Sequence, residues 1–206
     1  MDDDFKILER EIKTLEKLSG FPREIGCFAQ EAMRFYTVAA SLRETFALNN
    51  SSIEERQITH ILTRSLLEGY FWLLYIFDDS AKRSGRYDEK LNSFKLAYVK
   101  LLDERLLSHR DQLEPVDPGW AALPKPIDLK SMLAQLKNAY GDRLSYLYYV
   151  YRVSSFDTHG NSLGVLFEEV FGKRCNFVAL NLKFGFDLMA NQYLGILQDL
   201  RNAGEI

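Results

Sequence analysis

The sequence predicts an all-α fold, a bundle of four or five long helices with additional short ones. Apolar residues recur every three or four positions through most of the chain, and no segment alternates at the period of a strand. Four of the five prolines fall between Pro115 and Pro126, so this stretch cannot be helical and it divides the chain into two helical parts. We expect one domain over residues 1–206, with residues 1–50 as an N-terminal extension. A proline-rich loop at 114–127 lies inside it, because neither flank is long enough for its own core.

The first two helices are predicted over residues 4–18 and from Pro22 to about residue 48. Pro22 suits a first helical turn, because its missing N–H is not needed there. Asn49 and Asn50 end the second helix. The apolar residues of the first helix are three or four apart: Phe5, Leu8, Ile12, Leu15 and Leu18.

The third helix begins at a predicted capping box. In this motif the Ser51 hydroxyl accepts a hydrogen bond from the Glu54 amide, and the Glu54 carboxylate bonds back. The helix is expected to end near Phe77. A Ser84-Gly85 pair then breaks the chain before a fourth helix over about 87–113.

Three further helices are predicted after the proline-rich loop. Asp128 caps a short helix that ends near Gly141, and Asp142 caps the next one. That helix stops at Gly160, directly after His159. The last long helix is predicted over about 176–202.

Composition and charge exclude several classes of protein. The chain has 26 basic and 29 acidic residues, a net charge of −3, which argues against a broad basic surface for duplex DNA. Cys27 and Cys175 are far apart, so we expect two free thiols. The longest apolar run, 69–77, is much shorter than the roughly 20 residues of a membrane helix. Since the acidic N-terminus is unlike a signal peptide, we expect a cytoplasmic protein with no membrane partner.

No motif for a cofactor or a metal occurs in the sequence. The phosphate-binding, dinucleotide-binding, nucleophile-elbow and HExxH patterns are all absent. The three histidines, His60, His109 and His159, have no Glu three residues before them, as a helical di-metal site would require. His109 is placed near a helix C-terminus, where a cation is favourable. We therefore predict no cofactor and no metal site.

One candidate site lies in the segment 148–161. Arg152 and His159 are seven residues apart, so an α-helix places them on one face, about 10 Å apart along its axis. Ser155 falls on the same face between them, and Asn161 follows the helix stop, where it can cap the next element. Taken alone, an Arg and a His at this spacing are weak evidence for catalysis, and a structural role is favoured.

A second polar group occupies the predicted third helix. His60, Arg64 and Glu68 are four residues apart and share one helix face. They form either an exposed stripe with a weak ion pair or a partly buried support for a site built elsewhere. The neighbouring run 69–77, the most apolar in the chain, keeps the second interpretation open.

The Arg-x6-His motif on an all-α bundle resembles the HEPN superfamily (higher eukaryotes and prokaryotes nucleotide-binding domains). Its ribonuclease members have an Arg, four to six residues and then a His. More narrowly, the chain looks like uncharacterised bacterial HEPN-like proteins with an Arg-x3-Glu early in a long helix, here Arg64 and Glu68. These proteins also have a Tyr-Arg…Ser-x3-His-Gly-Asn segment, here 151–161. The resemblance covers about residues 51–198.

The resemblance implies a homodimer in which two protomers line one cleft and RNA is cut without a metal. A 2′-hydroxyl attacks the adjacent phosphorus and leaves a cyclic phosphate and a 5′-hydroxyl. His159 would be the acid–base and Arg152 the phosphate clamp. Asp157 would orient His159 or merely lie near it. The residues implied in supporting roles are Asp157, Ser155, Asn161, Arg64 and Glu68.

Two functional interpretations follow. The first is an endoribonuclease acting as a toxin-like or anti-phage effector in bacteria, with RNA as substrate and a possible regulatory protein partner. The alternative is a non-catalytic HEPN-like module for dimerisation and protein or nucleotide binding. In that case Arg152 pairs with Glu68 inside the bundle. Val153 favours the alternative, because active members often have a polar residue at this position.

A cluster of tyrosines precedes and overlaps the candidate site. Their rings can pack in a core or interface while the hydroxyls reach its rim, or they can stack on bases. We favour packing. The residues are Tyr140, Tyr146, Tyr148, Tyr149 and Tyr151.

Overall fold

The computed structural model describes residues 3–46, 48, 53–104, 110–161, 163–174 and 180–206. Over these ranges the regular secondary structure is entirely helical, which confirms the all-α prediction. The α-helices are α1 (Asp4–Arg10), α2 (Ile12–Leu18), α3 (Arg23–Thr45), α4 (Ile53–Phe77), α5 (Arg83–Leu102), α6 (Leu129–Leu133), α7 (Gly141–Thr158), α8 (Leu163–Phe171) and α9 (Leu182–Asn202). Two 3-10 helices cover Arg110–Gln112 and Pro118–Ala122.

The chain divides into two compact units. One contains Met1–Tyr70 and Ala139–Ile206, and the other contains Phe71–Asn138. The boundary falls within α4, so the first part of that helix belongs to the first unit. Every residue of the two candidate groups belongs to the first unit.

Helix α9 packs against α1, α3 and α7 of the first unit, and its Tyr193 also contacts Tyr70 of α4. Its Tyr193 is fully buried, with ring centroids 5.0 Å from Phe35, 5.9 Å from Tyr70 and 6.4 Å from Phe28. These edge-to-face contacts fill the space between α3, α4 and α9. The buried residues of α9 recur at helical spacing: Leu182, Gly185, Phe186, Met189, Ala190, Tyr193, Ile196, Leu197 and Leu200.

The single helix predicted over residues 4–18 is two helices. The Glu11 amide donates to the Leu8 carbonyl at 3.0 Å, a tight bond that ends α1. The Glu11 carboxylate accepts a hydrogen bond from Arg201 of α9 at 2.7 Å. No glycine or proline signals this break. The partner of the Glu11 carboxylate lies near the other end of the chain, so the local sequence does not reveal it either.

Other predicted helix boundaries shift by a few residues. Pro22 precedes α3 as its N-cap and is not in its first turn, and the helix ends at Thr45. Tyr140 is the N-cap of α7, whereas Asp142 lies in the first turn. Asn181 caps α9 by accepting the Phe184 amide. The predicted capping box, His109 and Cys175 lie outside the described residues. The last helix begins at Leu182 and not near residue 176, because Asn181 is its N-cap.

The second unit contains two boundaries that the sequence predicts wrongly. Ser84 and Gly85 do not break the chain but lie in the first turn of α5, and this helix ends at Leu102 rather than near 113. The Tyr98 hydroxyl donates to the Glu114 carbonyl at 2.9 Å, which holds the returning segment beside the helix. Asp128 caps α6 as expected, but the helix ends at Leu133.

A buried charge pair explains the early end of α6. Arg86, 3% exposed, donates to the Tyr75 carbonyl at 2.6 Å and to the Gln135 carbonyl at 2.9 Å. It also lies 3.5 Å from Asp78, whose carboxylate accepts the backbone N–H groups of residues 137–138. These backbone groups bond to side chains and not to a further helical turn.

None of the helices in the described ranges is long and apolar enough to cross a membrane.

Candidate functional site

The C-terminal end of α7 presents the predicted pair Arg152 and His159. The helix ends at Thr158, and His159 is its C-cap. Gly160 follows with φ +72°, the left-handed conformation that glycine adopts without a steric cost. The Asn161 amide donates to the Phe156 carbonyl at 2.9 Å, which closes a Schellman turn. The predicted helix stop is therefore confirmed.

Both side chains of the pair are exposed. Ser155, between them on the same face, is half-buried, and Asn161 is exposed. Within the described ranges, no hydrogen bond or ion pair involves the side chain of Arg152 or His159. The alternative interpretation expected Arg152 to pair with Glu68. Glu68 pairs with Arg64 instead. An exposed guanidinium and imidazole without internal partners are free to bind an anion.

Arg64 connects α4 to α7 beside this pair. Its side chain is 12% exposed, and its guanidinium carbon lies 3.6 Å from the centre of the Tyr151 ring. Nη1 donates to the Ser155 hydroxyl, and Nε and Nη2 donate to Glu68 at 3.1 and 3.0 Å. Ser155 in turn donates to the Tyr151 carbonyl at 2.7 Å. Arg64 is thus a partly buried support for α7, while the 56% exposed Glu68 side chain makes the weaker contact.

A buried pair lies behind the exposed one. His60 is 3% exposed, and its Nδ1 lies 2.6 Å from Oδ2 of Asp157, which is 6% exposed. The other carboxylate oxygen, Oδ1, accepts the Leu163 amide at 3.1 Å. Arg56 adds a charge with its Nε 3.9 Å from Oδ2. Asp157 therefore bonds to α4 and α8 and not to His159, so of the two roles left open by the sequence it lies near His159 without orienting it directly.

The pKa of Asp157 reflects these partners. Burial by itself would raise this pKa, but the hydrogen bonds from His60 and the Leu163 amide lower it. The charges of His60 and Arg56 act in the same direction, and the net effect is a pKa below the usual value. The carboxylate is therefore held in its ionised form inside the protein.

The tyrosine cluster mostly packs against its own unit. Tyr146 donates its hydroxyl to the Asn181 carbonyl at 2.9 Å, and its ring meets Phe184 edge to face. Tyr148 stacks on Tyr151 with ring centroids 6.2 Å apart. Tyr149 is 44% exposed. Tyr146 therefore packs with its hydroxyl at the rim, as favoured from the sequence. Stacking of the other tyrosines on bases stays a prediction.

An apolar groove of about 260 Å³ lies next to the end of α7. Neither this groove nor the short helix α8 that forms one side of it was predicted from the sequence. Val170 and Phe171 of α8 are 71% and 60% exposed, an unusual cost for a helix that faces water. The lining residues are Phe156, Asn161, Leu163, Leu166, Phe167, Val170 and Phe171.

Among the described residues no group of three or more His, Cys, Asp or Glu side chains could hold a metal ion. Comparison with protein-family models, curated proteins and solved structures found no match. The HEPN assignment therefore stays a prediction based on the motifs and their helical context.

Proposed function

We propose that this protein is a HEPN-type endoribonuclease that cleaves RNA without a metal ion and acts as a toxin-like or anti-phage defence effector in bacteria. The main support is that Arg152, in the second half of α7, and His159, the C-cap of that helix, are both exposed. A purely structural pair would be expected to be buried or bonded internally, and neither holds within the described ranges.

In the proposed reaction His159 takes the proton of the RNA 2′-hydroxyl. The O2′–P bond forms and the P–O5′ bond breaks, and the leaving oxygen receives a proton from an acid. Imidazole suits both proton transfers, because its ordinary pKa of about 6.5 is close to neutrality. Arg152 binds two phosphate oxygens with its planar fork and stabilises the charge that builds up on them.

The supporting residues have separate tasks in this proposal. Arg64 fixes the helix face between Arg152 and His159 through its bond to Ser155. Since the Ser155 hydroxyl both accepts from Arg64 and donates to a carbonyl, it orients the face and is not the main substrate contact. Asn161 is exposed beside His159 and is assigned a polar contact to phosphate or sugar.

The proposal includes a homodimer. A second copy docked on the α8 groove would cover apolar surface and would bring another His159 towards the same cleft. The acid that protonates the leaving oxygen is then the second copy of His159. This assignment rests on the groove being adjacent to the end of α7, since Phe156 and Asn161 belong to both.

The experiment that tests the proposal compares RNA cleavage in EDTA by wild type, His159→Ala and Arg152→Ala. We expect each variant to lose at least about 100-fold in kcat/KM, the usual contribution of a general acid–base or a charge-stabilising donor. Melting temperatures should stay close to wild type, because both side chains are exposed. Arg143→Ala, which removes an exposed arginine near the other end of α7, is the matched control. Full activity in His159→Ala would refute the proposal.

The apolar groove also favours a second candidate function, a non-catalytic module that binds another protein. RNA cleavage and partner binding distinguish this module from the nuclease. The module predicts no cleavage of any RNA by wild type, together with a partner whose binding is lost when the exposed Val170 is changed to Glu.

A further inference from the structure

We infer that His60 and Asp157 form a positioning pair that fixes the turn between α7 and α8, and with it the imidazole of His159. This inference rests on the proposed function for its catalytic consequence. Its structural part, a clamp on the turn, stands on the contacts alone. From the sequence, His60 belonged either to an exposed stripe or to a partly buried support, and no partner could be named for it.

The clamp uses the two oxygens of one carboxylate. Oδ2 lies 2.6 Å from Nδ1 of His60, and Oδ1 accepts the Leu163 amide at 3.1 Å. Asp157 is in the last turn of α7, and Leu163 is the first residue of α8. One side chain therefore holds both ends of the turn that carries His159 and Asn161.

The Leu163 amide would otherwise have no partner within its own helix. The first N–H groups of a helix point away from its hydrogen-bonded turns, so they need a side chain or water. Leu163 is 6% exposed, and Asp157 supplies the acceptor. If the carboxylate turns away, this amide loses its protection and the start of α8 loosens.

Burial of this pair is costly, and its surroundings explain how it is tolerated. A carboxylate shielded from water needs charge and hydrogen bonds to remain ionised. The groups that face Asp157 are His60 and Arg56 from α4 and the Leu163 amide from α8. An apolar pair would join α4 to α7 without this cost, but it would leave the turn unheld. A buried polar pair at this place is therefore explained by the hydrogen bond through which Asp157 holds the start of α8.

The pair does not face the substrate, so its effect on catalysis is indirect. A displacement of a catalytic group by about 1 Å can cost about 100-fold in rate. Loosening the turn moves His159 but leaves Arg152, which is in the body of α7. Disruption should therefore lower kcat and leave KM nearly unchanged.

The first experiment measures hydrogen exchange at the Leu163 amide and does not depend on activity. His60→Phe keeps a ring but removes the hydrogen bond to Asp157, whereas His60→Asn keeps a donor near the position of Nδ1. Asp157→Asn offers one acceptor oxygen for two donors. We expect exchange about tenfold faster in His60→Phe and Asp157→Asn, and near wild type in His60→Asn.

Thr63→Val is the matched control. Thr63 is buried on α4 near His60, and within the described ranges its hydroxyl has no hydrogen-bond partner. The change removes a buried polar atom of α4 but neither of the two hydrogen bonds of Asp157, so exchange at Leu163 should not respond. If exchange is the same in wild type, His60→Phe and Asp157→Asn, the clamp does not exist.

The second experiment measures RNA cleavage with the same variants. We expect kcat to fall at least about tenfold in His60→Phe, with KM within about twofold and recovery in His60→Asn. Accelerated exchange with an unchanged kcat would overturn the positioning role. A wild-type protein that cleaves no RNA would refute the proposed function instead, while the exchange data would still decide whether the clamp exists.

Discussion

The guanidinium carbon of Arg64 lies 3.6 Å from the centre of the Tyr151 ring, close enough for a strong cation–π contact between α4 and α7. The same guanidinium donates to the Ser155 hydroxyl, one turn further along α7. Arg64 therefore attaches the face that carries Arg152 to the body of the first unit. Arg64 therefore stabilises the fold, whereas the exposed Arg152 and His159 are the residues assigned to catalysis.

Removal of Arg64 should lower stability. Arg64→Ala loses the hydrogen bond to Ser155 and the contact with Tyr151, so we expect a loss of about 1–3 kcal/mol in the free energy of unfolding. Glu68→Ala should cost less than about 0.5 kcal/mol, because that side chain is 56% exposed. Urea unfolding of both variants tests this. Equal effects of the two changes would contradict the support assigned to Arg64.

The second unit should depend on Asp78. Asp78→Ala removes the carboxylate that faces the buried guanidinium of Arg86 and takes the acceptor from the amides of residues 137–138. Breaking a buried ion pair costs about 3–5 kcal/mol. Asp103→Ala is the control, since this exposed residue lies at the C-terminal end of α5, where a negative charge is unfavourable. A melting temperature equal to wild type in Asp78→Ala would be inconsistent with this arrangement.

Two glycines should respond oppositely to substitution by alanine. Gly85→Ala should stabilise the protein by roughly 0.5 kcal/mol, because Gly85 is helical and a Cβ there meets no atom within 4 Å. Gly26→Ala should destabilise it by about 1–3 kcal/mol, because a Cβ there overlaps the Phe21 carbonyl. Thermal unfolding of the two variants separates these outcomes. A loss of stability in Gly85→Ala would show that the chain needs glycine at the start of α5.

The charge of Asp157 should appear in the pH dependence of stability. Its pKa is lowered in the folded protein, so the ionised carboxylate stabilises the fold above the unfolded value of about 3.9. That contribution is lost as the pH falls through the folded value. The stability difference between wild type and Asp157→Asn should therefore be constant near pH 5 and shrink below about pH 4. A difference that is constant from pH 5 to pH 3 would contradict a lowered pKa.

The α8 groove predicts self-association. Light scattering should give a dimer for wild type, and Val170→Glu should shift it to monomer, because this residue lines the groove and is 71% exposed. Val165→Glu is the matched control, since Val165 is exposed on the same helix but does not line the groove. A wild-type monomer at micromolar concentration would contradict the shared cleft.

The sequence predicted the long helices better than their ends. The apolar periodicity of α3 and α4 is regular enough to locate these helices within a few residues. The end of α6 lies beside contacts that are remote in sequence, such as Arg86 to Gln135. Glu11, at the break between α1 and α2, likewise bonds to Arg201 at the other end of the chain. Local patterns contain no signal for such pairs.

The parts of the candidate site that depend on local sequence were predictable, and the parts that depend on distant partners were not. The exposed pair and the glycine stop follow from local spacing and turn chemistry, and Gly160 has the positive φ that a helix stop needs. The partner of Asp157 is 97 residues away in the sequence, so spacing could not identify it. The short helix α8 was missed because it offers only two turns of pattern between a glycine stop and the next loop.

The end groups of the RNA products test the central claim most directly. Wild type and His159→Ala are incubated with RNA in EDTA, and the ends of the products are identified by mass spectrometry. The account predicts 2′,3′-cyclic phosphate and 5′-hydroxyl ends with wild type, and no products with His159→Ala. Ends with a 3′-hydroxyl and a 5′-phosphate, or the same products from both proteins, would contradict it.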